Sequence, residues 1–134
     1  MNTQIKLAFY WLLLGIFFLL HTLLHMYGLC YGVDIRIAGF TGEIPLGIQV
    51  FNTVIFNVTF LMALLSANLS GKGFRWVSLI WSFLLLLLNI FHLGATIFME
   101  KFDLSQVCLL TLVLVVNVLL TGALWKDLKK SSVK

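Results

Sequence analysis

The stretch LAFYWLLLGIFFLLHTLLHMYGLC, residues 7–30, decides the fold class of this chain. It contains no Asp, Glu, Lys or Arg. At 1.5 Å of helical rise per residue it exceeds the roughly 20 residues needed to cross about 30 Å of hydrocarbon. Its Leu and Phe runs lack the period-2 alternation of a barrel strand. In a bilayer core, where no water satisfies the backbone, a helix is the form that remains. A cleaved signal peptide fits less well, because the apolar stretch is too long and lacks a small-x-small cleavage site.

Three more runs of the same kind follow: 46–69 (LGIQVFNTVIFNVTFLMALLSANL), 74–98 (FRWVSLIWSFLLLLLNIFHLGATIF) and 104–125 (LSQVCLLTLVLVVNVLLTGALW). The composition agrees. Of 134 residues, 61% are apolar and 10% are charged, against roughly 25% charged in soluble domains. The mean hydropathy of +1.07 is too high for the surface to be wetted throughout. The expectation is one all-α domain over residues 1–134. It is an integral membrane four-helix bundle, joined by an outer loop (31–45), a short turn (70–73) and a second outer turn (99–103). Short connections imply antiparallel neighbours, hence an up-down-up-down arrangement.

Orientation follows from the basic residues. Lys6, Lys72, Arg75, Lys126, Lys129, Lys130 and Lys134 fall on one side of such a bundle, against Arg36 and Lys101 on the other. This asymmetry places both termini in the cytoplasm of a cell with an inner membrane. Trp11, Trp76, Trp81 and Trp125 fall toward the same side, where indole rings favour headgroups. Residues 126–134 form a basic cytoplasmic tail, expected as a fraying extension of the last helix. No basic face interleaved with exposed aromatics suggests nucleic acid. The partners expected are the lipid bilayer and either a second copy or a membrane subunit.

No charged residue lies in the middle of a span, which disfavours ion-coupled transport through an intramembrane carboxylate. The polar groups that are present form a band. His21 and His25, at i and i+4, share a face of the first helix. His92 on the third helix lies at a similar depth, all three being ~8–14 Å below the outer ends by helical rise. Asn52 and Asn57 on the second helix, Asn89 and Thr96 on the third, and Thr111 and Asn117 on the fourth extend the band. Facing the bundle axis would spare them the cost of lipid.

Two chemistries suit this pattern. Imidazoles are common transition-metal ligands, so His21, His25 and His92 are candidate ligands for Zn or Cu, or for a b-type haem held between helices one and three. The plainer alternative is an interhelical hydrogen-bond network in a non-enzymatic accessory subunit. A third reading is a transporter or enzyme for a small lipophilic molecule. No catalytic constellation is evident, and H-x-x-x-H here lacks the Glu of a zincin. Cys30 and Cys108 are not in a C-x-x-C. They are expected as two buried small residues, or as a disulfide if helices one and four are neighbours. Gly28 and Gly32 form a G-x-x-x-G, read chiefly as glycines leading into a loop. Alternation over Val33, Ile35 and Ile37 suggests a hairpin-like lid in the outer loop.

The plan, with Gly15 in YWLLLGIFFLL and Gly42-Glu43-Ile44-Pro45 leading into the second run, resembles the DoxX-like group of small bacterial four-helix membrane proteins. That resemblance implies an inner-membrane location and assigns no chemistry to the histidines.

Overall fold

The computed structural model of the protein describes residues 2–35, 39, 42–98 and 103–132. Four helices account for most of them: α1 (Thr3–Tyr27), α2 (Leu46–Asn68), α3 (Lys72–Phe98) and α4 (Leu104–Ser132). All four are long and apolar enough to cross a membrane. Helix α1 begins before its apolar stretch, where a cap flanks it, and α4 continues past the end of its own. Asn2 caps α1, its side chain accepting the Gln4 N–H at 3.2 Å. Asp103 caps α4, its Oδ1 accepting from Ser105 N at 2.9 Å and from the Ser105 hydroxyl. The basic tail continues as helix through Ser132, with Lys129 Nζ 5.3 Å from the Trp125 ring.

A single 3-10 turn, Gly28–Tyr31, follows α1. Gly32 then takes φ 72°, a left-handed conformation open to glycine without a Cβ penalty. Nothing lies within 4 Å of a Cβ built there, so this glycine stops a helix and does not seat a neighbour. Gly15 does the opposite. A Cβ at Gly15 would stand 2.7 Å from the Phe60 ring, so its missing side chain lets α1 and α2 close together. Phe18 and Phe56 continue that seam edge to face at 6.4 Å.

The closest backbone pairings are α1 with α2, α1 with α4, and α3 with α4. Helices α2 and α3 pack less closely; Ser78 Oγ donates to Met62 Sδ between them at 3.6 Å. The core runs along the middle of this array through Trp11, Leu14, Leu85, Val113, Leu120 and Leu124. Trp11 is fully buried, which corrects its assignment to an interfacial belt; Trp76 and Trp125 are exposed as a belt requires.

The cysteines are unpaired and exposed, so neither the disulfide nor the buried-thiol expectation holds. The proposed lid falls partly outside the described residues, as do Arg36, Lys101 and Lys134. Near the opposite end, Arg75 and Asp127 form an ion pair between α3 and α4.

Candidate functional site

Two polar clusters occupy the interior. The first joins α1 to α3. His21 and His92 point inward from their helices, and their Nε2 atoms lie 3.0 Å apart with the rings nearly perpendicular. That is a hydrogen bond, so one Nε2 carries the proton and the other accepts it. His25 stands one turn further out, its ring stacked toward His21 at a centroid distance of 6.0 Å. The predicted trio is thus a tight pair with a third imidazole beside it. Among the described residues, no three His, Cys, Asp or Glu side chains are arranged to hold a metal ion together.

The second cluster joins α3 to α4 deeper in the bundle. Asn89 Nδ2 donates to Asn117 Oδ1 at 2.8 Å. Asn117 Nδ2 donates to the Ser82 carbonyl at 3.1 Å and to Ser82 Oγ at 3.2 Å. Thr121 gives its one proton to the Asn117 carbonyl at 2.8 Å. The 2.7 Å contact between Ser82 and Thr121 is then a bond donated by Ser82. Every donor in this circuit has an acceptor, as burial in low dielectric demands.

The remaining members of the predicted band divide by helix face. Thr96 is buried, its Oγ1 without a hydrogen-bond partner among the described residues. Asn57 and Thr111 are exposed, which corrects the expectation that they turn to the bundle axis; Asn52 is exposed too but lines a cavity beside His21 and His92. On α2 the buried face is Thr59, Met62 and Ser66; Asn57 precedes Thr59 by two residues, or about 200° of helical turn. Thr111 satisfies itself by donating to the Val107 carbonyl at 2.8 Å.

Ser82, Thr121 and Gln106 escaped the sequence reading, because short polar side chains in apolar runs carry no periodic signal. Gln106 is almost fully buried and reaches from α4 to the His21 carbonyl with its Nε2 at 3.5 Å. Its donor side being turned to that carbonyl, its Oε1 is left without a partner among the described residues.

Two cavities flank the histidine pair. One, of about 250 Å³, lies between the helices and is lined by Phe18, His21, Asn52, Phe56, Asn89 and His92, among others. The other, of about 670 Å³, opens at the end of the bundle where α1 finishes and α4 begins. His25, Asp34, Thr96, Asp103 and Gln106 supply its polar lining. Among the described residues, no Lys or Arg lines it. The Asp103 carboxyl sits below the usual carboxylate range, held there chiefly by the Ser105 hydroxyl and further by the backbone N–H groups of α4 and by nearby His25. The described part of the mouth thus offers oxygen acceptors, among them the Asp103 carboxylate, and His25 stands between it and the His21–His92 pair.

Fold and site together define an all-helical, membrane-competent bundle with an imidazole pair beneath a mouth that carries the Asp103 carboxylate. Comparison of the chain with known protein families, curated proteins and solved structures finds no match.

Proposed function

We propose that this is a multi-pass inner-membrane protein that takes up a transition-metal cation of the zinc or copper class at the His21–His92 pair. The observation that carries the reading is the convergence of two imidazole nitrogens to 3.0 Å inside the apolar bundle. Two imidazoles on one tetrahedral ion, each about 2.0–2.1 Å from it, stand roughly 3.3–3.4 Å apart. Exchanging the shared proton for a metal ion therefore needs an opening of only a few tenths of an ångström. A b-type haem is the poorer fit, since its macrocycle must lie between axial ligands that here touch each other.

The Asp103 carboxylate at the mouth supports the same reading. It would attract a cation, and His25 offers the next ligand on the way in. The up-down-up-down course is supported by the pairings Gly15–Phe60 and Phe18–Phe56 on one side and Asn89–Asn117 and Ser82–Thr121 on the other. Cytoplasmic termini are supported by the basic asymmetry of the chain. Membership of the DoxX-like group belongs to this proposal as a resemblance of plan.

A second reading is favoured by the Asn89–Asn117–Ser82–Thr121 circuit: a non-enzymatic bundle whose polar contacts serve cohesion alone. Purification in mild detergent followed by elemental analysis separates the two. Near-stoichiometric Cu or Zn, lost in His21→Ala and in His92→Ala, is the result expected for the metal site. A metal-free preparation whose melting temperature does not move on adding Cu or Zn would leave the cohesive role standing.

A further inference from the structure

Helix α2 is the least enclosed of the four: 11% of its most apolar window is buried, against 22% to 28% in the others. At its midpoint stands Asn57, 11 residues from Leu46 and 11 from Asn68, hence ~16 Å from either end. Its side chain is exposed and makes no hydrogen bond among the described residues. Asn68, about three turns further along on the same face, satisfies its amide on the Leu64 carbonyl at 2.8 Å. In a single chain, Asn57 would present two donors and an acceptor to acyl chains that offer neither.

The residues around it form a stripe. Val50, Asn57 and Leu64 recur every seven positions, with Val54 and Leu61 between them. The four apolar members are 54%, 63%, 41% and 48% exposed, in the order Val50, Leu64, Val54, Leu61. This is the seam of a helix–helix contact with one polar residue at its centre. A carboxamide is self-complementary: across a two-fold axis each Asn donates to the other and accepts from it. We infer that α2 is the homodimerisation helix of this protein, with Asn57 paired to its counterpart on a second copy at mid-membrane. A second copy is the occupant that satisfies donor and acceptor together with no further polar group required. None of the stripe residues lines the cavity beside the histidine pair, so the inference stands independently of the metal reading.

The test uses the full chain reconstituted in phosphatidylcholine vesicles, with Cys30 and Cys108 replaced by Ser. Single cysteines at Val50, Val54, Leu61 and Leu64 should cross-link between copies under mild oxidation, while a cysteine at the buried position Thr59 should not. Energy transfer between differently labelled copies should report a dimer that Asn57→Leu weakens about tenfold and Asn57→Gln largely retains. Asn57 faces away from the bundle, so the Leu variant should keep its helicity and melting temperature. Absence of energy transfer at high protein-to-lipid ratio would overturn the inference. So would cross-linking without the α2 periodicity, or an Asn57→Leu dimer as tight as the original.

Discussion

His21 and His92 share one proton between their Nε2 atoms at 3.0 Å, and this contact ties the first helix to the third. Since a neutral imidazole carries a single N–H, the two rings must be opposite tautomers. Metal-free protein labelled with ¹⁵N-histidine should therefore show one Nε2–H and one Nδ1–H ring in the pair. On adding Zn, both should become Nδ1–H, because both Nε2 atoms then face the ion. Identical tautomers before addition would rule out the direct hydrogen bond, and unchanged spectra after it would rule out the ion.

Asn117 is the hub of the second cluster, and its loss should be felt more than that of any peripheral member. Asn117→Ala removes three side-chain bonds, stranding a donor on Asn89 and acceptors on Ser82. At about 0.6 kcal/mol per interhelical bond the expected cost is ~2 kcal/mol. Thermal unfolding in detergent would measure it. A double-mutant cycle with Asn89→Ala should be non-additive, and simple additivity would show that the two amides act separately.

Arg75 and Asp127 join the start of α3 to the far end of α4, with side chains only 14% and 13% exposed. Each single replacement, Arg75→Leu or Asp127→Leu, leaves a half-buried charge behind and should destabilise by about 1.5–3 kcal/mol. The pair replaced together should recover much of the loss. If the double variant is as unstable as the sum of the singles, the ion pair is incidental.

The carboxyl of Asp103 is held below the usual carboxylate range, chiefly by the Ser105 hydroxyl. A folded-state pKa lowered in this way stabilises the helix above the unfolded carboxylate value near 4, and that contribution disappears as pH falls through the folded value. Amide exchange at Ser105 and Gln106 should accelerate in acid below that point. Asp103→Ala should show the fast exchange at neutral pH, at a cost of about 1 kcal/mol. A variant whose exchange matched the parent's at pH 7 would remove the cap from the account.

Much of the architecture was legible beforehand, since length and apolarity alone demand helices where backbone groups lack water. Depth was legible too: helical rise put His21 and His92 in one slab. Facing was not. The runs around Leu84–Leu88 and Val113–Val116 are apolar on every side, so they carry no signal of which side meets a neighbour. Hence Asn117 and Asn57, similar in sequence terms, parted: one lies in the core at 0% exposure and the other is exposed. Trp11 was misassigned for the same reason, as an aromatic ring suits both a headgroup belt and a core.

By itself the sequence determined four helices long and apolar enough to cross a membrane, and the position of each polar group along them, because transfer free energy depends on composition and length. The tertiary structure alone decided helix rotation and neighbour choice. These rest on close packing, such as the Phe60 ring against the bare backbone of Gly15, and on hydrogen bonds such as the one between His21 and His92. Contacts of that kind depend on the shapes of residues far apart in the chain, which no single apolar run specifies.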